Sequence, residues 1–307
     1  LVDLPRRTRV DLTGNDRADF LHNLCTNDIR RLTPGTGCQA FLLNAAGKIL
    51  AYVNVFCESD RLVLDTVGGQ ADAIIAHLDR YLIREDVTLT DRSTDQIQLL
   101  LAGPGVVDRL EQLGVAPPSG KLLTSVDARV GTAPIVLRRV DFATADDLLI
   151  DVPLEHAHVV WTALASARFA PAGTQAFEVA RIERGTPCYG VDIHDSNLPQ
   201  EVDRNDRAIS FVKGCYIGQE TVARIDALGH VNQLLRGLRF GDAPAPAPGA
   251  ELTADGKPFA QITSVTDSPR AGGPFALAYV RRGHAAHDTT VNTDAGQVVV
   301  TSLPFAE

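Results

Sequence analysis

The chain has 307 residues, of which 45% are hydrophobic and 22% charged, and a formal charge of −9. That length accommodates two or three domains with a substantial core, at an ordinary globular composition. The acidic balance weighs against stable nucleic-acid binding, and no apolar run approaches the ~20 residues of a bilayer span, so no membrane partner is expected. No basic, apolar leader opens the chain, and the five cysteines (Cys25, Cys38, Cys57, Cys188 and Cys215) are odd in number and widely spaced. This pattern fits a reduced, cytoplasmic protein better than a disulfide scaffold. Without a Cys-x2-Cys or Cys/His cluster, no stable protein-only metal site is expected.

Residues 15–25 read as a short helix, with Phe20, Leu21 and Leu24 on one side and a polar start at Asn15 and Asp16. Pro34 and Gly35 turn the chain toward a strand over 40–43, and 44–47 forms a hairpin loop before a second strand over 49–56. Phe56, Asp60, Leu62 and Asp65 recur 86 residues later as Phe142, Asp146, Leu148 and Asp151. Each copy gives strand, acidic turn and strand, then a helical pattern: Ile74, Ile75, Leu78 and Leu82 in the first, Val159, Val160, Trp161 and Leu164 in the second. Two related α/β units packed in pseudo-symmetry follow from this repeat. Between them, 97–102 reads as a buried strand, and Gly103-Pro104-Gly105 opens a short helix that lacks dinucleotide-fingerprint spacing. A proline-rich stretch over 241–249 reads as a surface connector to a C-terminal β domain with strands near 260–265, 275–280 and 297–300.

Chemistry concentrates in two places. Ala176, Val179, Ala180 and Glu183 share one stripe of the helix after Gly173. A carboxylate on such a stripe needs a partner. It either pairs with a basic residue such as Arg181 or Arg184, or accepts the paired N–H groups of a planar ligand such as a pterin. The segment Lys213-Gly214-Cys215-Tyr216-Ile217-Gly218-Gln219-Glu220 runs straight into a helical pattern. It suits a turn that displays a thiol near a helix start, with Lys213 and Arg224 supplying positive potential. It equally suits a tight turn with a buried cysteine. His194 and His230 are near in sequence only, and nothing supports a protease triad.

The 213–220 segment, with Thr221-Val222-Ala223-Arg224 behind it, closely resembles the signature of the YgfZ/IBA57 family. These folate-binding proteins support iron–sulfur enzymes and are related to the aminomethyltransferase T-protein of the glycine cleavage system. The likeness extends to 20–29 and to Arg181-Ile182-Glu183-Arg184-Gly185. It implies an α+β, T-protein-like fold: ferredoxin-like α/β units around a central folate channel, with a C-terminal β-barrel-like domain. The expected domains are a folate-binding region over 1–240, made of two interwoven parts (approximately 1–45 with 120–240, and 46–119), and a β domain over 241–307. By the same resemblance Glu183 recognises the pterin of tetrahydrofolate, with Arg181, Lys213 and Arg224 in the binding set. Cys215 takes a redox or partner-contact role.

One departure separates two branches of the resemblance. Where the aminomethyltransferase branch carries an acidic pair after the first hairpin, this chain has Ala51 and Tyr52, so the glycine-cleavage reaction is not expected. The leading expectation is a tetrahydrofolate-dependent accessory to iron–sulfur assembly or client proteins, acting only indirectly on tRNA-modifying cluster enzymes. The alternatives are a folate-dependent one-carbon transferase or demethylase, and a non-enzymatic partner-binding scaffold with a relic folate pocket.

Overall fold

The structure is a computed structural model that describes residues 1–305. The chain begins with β1 (Val2–Asp3), β2 (Thr8–Thr13), α1 (Arg17–Leu24), β3 (Gly37–Leu43), β4 (Ile49–Cys57), β5 (Arg61–Thr66), α2 (Ala71–Asp79) and β6 (Thr88–Asp91). It continues through β7 (Gln96–Leu101), α3 (Val106–Gln112), β8 (Ser125–Val130), β9 (Ala133–Val140), β10 (Asp147–Pro153) and α4 (Ala157–Ser166). Three helices follow: α5 (Thr174–Arg184), α6 (Asn205–Ala208) and α7 (Gln219–Leu228). The last strands are β11 (Gln233–Arg239), β12 (Glu251–Ala254), β13 (Lys257–Ser268), β14 (Gly273–Arg281), β15 (Thr290–Thr293) and β16 (Gly296–Thr301). Among the described residues no helix is long and apolar enough to cross a membrane.

Two five-stranded antiparallel sheets have matching orders, β3-β4-β5-β2-β6 and β8-β9-β10-β7-β1. Strand alternation gives each an outer and an inner face. On the first, Ala51, Val53, Leu62 and Leu64 turn outward under Phe20, Leu21 and Leu24 of α1 and Ile74 and Leu78 of α2. On the second, Leu99, Leu101, Leu148 and Ile150 do the same under α3 and α4. The inner faces meet in a shared layer that includes Phe56, Val63, Leu100, Val140 and Leu149. The repeat is therefore real as architecture, with adjustments. Val160 and Leu164 carry the core stripe of α4, whereas Val159 points to solvent. Asn54 pairs with Asp65 but Val136 pairs with Asp151, so the second hairpin is longer, and Phe142 lies in its loop while Phe56 stays on a strand.

The interweaving runs through the N-terminus. β1 holds the edge of the second sheet that β6 holds in the first, with Val2 paired to Leu100. An internal boundary near residue 45 would cut the β3–β4 ladder, where Phe41 pairs with Tyr52 and Leu42 with Ala51. The first sheet accordingly draws on 8–91 as one piece. The C-terminal sheet, β12-β13-β14-β11-β16-β15, curls into a nearly closed barrel. Its free edges meet where Thr253 N–H donates to Asp294 Oδ1 at 2.9 Å. Because β11 is already a barrel strand, the proline-rich 241–249 stretch is a loop within the barrel.

Candidate functional site

The inner face of the first sheet carries a group of polar residues beside the apolar shared layer. Tyr52 and Asn54 of β4 and Asp65 of β5 occupy alternate positions to the outward Ala51, Val53 and Leu64, so the same pleat that builds the core aims them inward. There they line a cavity of about 170 Å³. Its other walls are residues 4–7, Gln39, Phe142, Phe177, Glu178 and Arg181 of α5, and residues 186–189.

A hydrogen-bonded ladder runs along the cavity wall. Tyr52 Oη donates to Gln39 Oε1 (2.8 Å), Gln39 Nε2 to Asn54 Oδ1 (3.5 Å), and Asn54 Nδ2 to Asp65 Oδ2 (3.1 Å). Arg7 grips Asp65 with both arms of its fork, Nε to Oδ1 at 3.0 Å and Nη2 to Oδ2 at 2.7 Å. Burial works against the charge of Arg7, but Asp65 more than offsets it and its pKa is raised. Burial pushes the Tyr52 phenol up to about 12, so at neutral pH it is an uncharged donor and no substitute for a carboxylate base. The Cys188 thiol at the cavity edge is also raised by burial, which keeps it protonated.

Of the site residues expected from sequence, Arg181 lines this cavity, and it is fully engaged. It binds Glu178 Oε2 (2.6 Å), Asp192 Oδ2 (2.8 Å), Thr186 O (3.0 Å) and Ser264 Oγ (3.2 Å), tying α5 to the barrel. Glu183 lies outside the cavity lining. Its Oε1 accepts from Ser268 Oγ at 2.6 Å, because the buried end of α5 packs on the barrel rather than on the channel. The anticipated stripe is not a pocket wall either, since Ala176 is exposed and the cavity face of α5 is Phe177, Glu178 and Arg181.

The 213–220 segment forms a separate structure. Lys213 Nζ turns inward to the carbonyl oxygens of His22, Cys25 and Asn27, the last two at 2.8 Å. Its charge therefore caps the carboxyl end of α1 instead of facing Cys215 or a ligand. Gly218, at φ +81°, lies against the β3–β4 hairpin, where an added Cβ would stand 2.7 Å from Asn44 O. Thr221 Oγ1 donates to Ala46 O at 3.1 Å. This docking leaves Cys215 exposed, alone among the five cysteines, with Phe211 and Val212 exposed beside it in sequence. Arg224 is exposed on α7 and also outside the cavity.

Sequence reading missed Arg7, Gln39, Asn54 and Glu178 as cavity residues. Asp65 was within reach, since a repeated aspartate inside an alternating apolar strand has to be buried with a partner. Among the described residues no group of three or more His, Cys, Asp or Glu side chains is placed to hold a metal.

Two facing α/β units with a cavity at their junction, followed by a C-terminal barrel, define a T-protein-like α+β protein. The glycine cleavage T-protein families confirm it: the GCVT N-terminal domain matches residues 1–213, and the glycine cleavage T-protein C-terminal barrel domain matches 234–306. The chain belongs to this aminomethyltransferase-related family. It is 27% identical to a putative chloroplastic transferase of Arabidopsis thaliana, over 99% of this chain and 71% of that protein. It is 28% identical to an aminomethyltransferase of Synechococcus sp., over 92% of this chain and 79% of that one. An aminomethyltransferase of Mycobacterium leprae is 26% identical, over 100% and 85%. The crystal structure of glycine cleavage system aminomethyltransferase T from Bartonella henselae shares the fold, with a TM-score of 0.86 at 22% identity over 100% of this chain and 86% of that one.

Proposed function

We propose that the inter-unit cavity binds a reduced folate and that the protein acts in folate-dependent one-carbon transfer or demethylation. The observation that carries this reading is the Tyr52–Gln39–Asn54–Asp65 ladder: a row of fixed donors and acceptors on the wall of an otherwise largely apolar cavity. Membership of the T-protein family, with similarity to aminomethyltransferases among its relatives, supports the same class. In this reading Asp65 and Glu178 are the carboxylates within reach of a pterin's paired N–H groups, and the neutral Tyr52 phenol positions rather than deprotonates. Ala51 lies in the outer core, so neither residue of that pair supplies an acid, and the aminomethyl transfer of glycine cleavage is not the reaction we assign.

Titration with tetrahydrofolate tests the reading. The parent should bind with a Kd on the order of 1–10 μM, weakened at least tenfold by Asp65→Asn in a folded variant. Absence of saturable binding by the folded parent at millimolar ligand sinks it. Turnover of bound methylene- or methyl-tetrahydrofolate only when a second substrate is added would establish transfer.

The exposed Cys215, held on a loop anchored by Lys213 and Gly218, favours a second reading: the iron–sulfur accessory role implied by the resemblance of this segment. Cells lacking the protein would then lose iron–sulfur enzyme activity, restored by the parent and not by Cys215→Ser. Equal restoration by both removes the thiol from the function.

A further inference from the structure

Other buried or half-buried arginines have their carboxylates: Arg7 has Asp65, Arg138 has Asp151 and Glu58, and Arg181 has Glu178 and Asp192. Arg204 does not. Its Nη2 donates to the carbonyl oxygen of Gly185, and it has no carboxylate partner among the described residues. Two further arginines near it share one acid. Arg184 Nη2 and Arg207 Nη1 both bind the same oxygen of Asp141, at 3.0 and 2.6 Å. Asp141 itself is 7% exposed. Two guanidinium groups thus share one carboxylate, and a third, Arg204, stands near them with none of its own in a partly desolvated setting.

The cluster abuts the cavity. Asp141 immediately precedes Phe142, Gly185 immediately precedes Thr186, and both Phe142 and Thr186 line the cavity. The Tyr52 phenol on the cavity wall interacts with the charges of Arg204, Arg207 and Asp141. Burial is the main cause that lowers the pKa of Arg204, with the like charges of Arg207 and Arg184 adding to it. An unpaired, partly buried cation is costly to hold, and a guanidinium fork matches the two oxygens of a carboxylate.

We infer that Arg184, Arg204 and Arg207 form an anion subsite at the edge of the cavity, which takes the carboxylate of a ligand bound there. That carboxylate has two sources, a small acid that reacts beside the folate or the glutamyl tail of the folate itself. The subsite stands on its own charge imbalance; only its link to a pterin rests on the folate reading above.

The test compares the parent with Arg204→Gln and, separately, with Arg207→Gln, whose more exposed position makes it the safer variant for folding. Each is titrated calorimetrically with tetrahydrofolate, with 6-methyltetrahydropterin, which lacks the tail, and with acetate and glycolate. If the tail is the source, tetrahydrofolate binds the parent about tenfold tighter than the tailless pterin, and both substitutions erase that gap. If a small acid is the source, the two pterins bind alike, while acetate or glycolate binds the parent saturably and at least tenfold more weakly in the variants. Folded variants that bind every probe as the parent does overturn the proposal, as does a parent that binds neither the tail nor either small acid. Failure of both pterins, with Arg204-dependent acid binding intact, rejects the folate reading and keeps the subsite.

Discussion

The inner faces of the two α/β units each carry an aspartate at the same place in the sheet, Asp65 on β5 and Asp151 on β10, and Gln98 Nε2 donates to both, at 3.1 and 2.8 Å. Their surroundings differ. Asp65 faces the cavity and is held by Arg7 from the N-terminal segment and by Asn54 from the neighbouring strand. Asp151 is held within its own sheet by Arg138, which is 1% exposed, reaches on to Glu58 of the first unit and stacks 4.3 Å from the Phe56 centroid. One position in a duplicated sheet thus lines the inter-unit cavity in one unit and joins an ion-pair network that reaches across to the first unit in the other. The difference lies in which side chains surround the acid, because both acids are buried to a similar extent.

Arg138→Met breaks the comparison hardest. It leaves Asp151 and Glu58 without their main cation, and denaturant unfolding should lose ~3–5 kcal/mol. Arg7→Met removes a 15% exposed cation that serves one carboxylate, and should lose only about 1–3 kcal/mol. Equal losses would show that the two arginines hold their acids with the same strength. Acid titration gives an independent check. Burial opposes the charge of Asp151, but Arg138 and Arg9 hold its pKa below the usual aspartate value in the folded state. The unfolded chain therefore takes up this proton first as pH falls. The stabilisation is complete above about pH 4 and is lost as pH drops through the folded pKa. Asp151→Asn should flatten that part of the unfolding profile.

The ends of α1 and α3 sharpen the comparison at lower energy. In the second unit α3 closes on its own backbone, with Leu113 and Gly114 N–H donating to Leu110 and Glu111 at 2.9 Å. In the first, three carbonyls around the end of α1 depend on Lys213, nearly 190 residues away. Lys213→Met should cost about 1–3 kcal/mol and speed hydrogen exchange in α1 and the Cys215 loop, leaving α3 unchanged. Uniform acceleration across both units would deny the anchoring role.

These contrasts explain what could be read from the chain. The strand pattern, the helices and the repeat were legible because alternation and helical spacing are local. So was the T-protein-like α+β fold, whose family matches cover 1–213 and 234–306. The cavity was not legible. Arg7, Asn54 and Glu178 meet there only because two sheets face each other and the first residues cross to the second sheet, and none of those separations leaves a periodic trace. The 213–220 glycines read as a turn, and Gly218 does adopt φ +81°, whereas Lys213 turns away from Cys215 to the end of α1. Their purpose lay in a hairpin and a helix end that the segment itself does not contain.

Glu183 marks where local reading and geometry part most clearly, and the smallest predicted effect falls there. Its Oε1 accepts from Ser268 Oγ, and its backbone carbonyl accepts from Phe305 N–H at 3.1 Å, so both groups join α5 to the barrel side of the molecule. Glu183→Gln keeps an acceptor for Ser268 and removes the charge, and should cost only about 1 kcal/mol of stability. If the cavity carboxylates are the ones that meet a pterin, tetrahydrofolate affinity should shift by no more than about twofold in this variant, against at least tenfold in Asp65→Asn. The opposite ranking in calorimetric titration would move the pterin to the α5–barrel junction. Asp65 would then join Asp151 as a purely structural acid, and the contrast between the two units would lose its functional meaning.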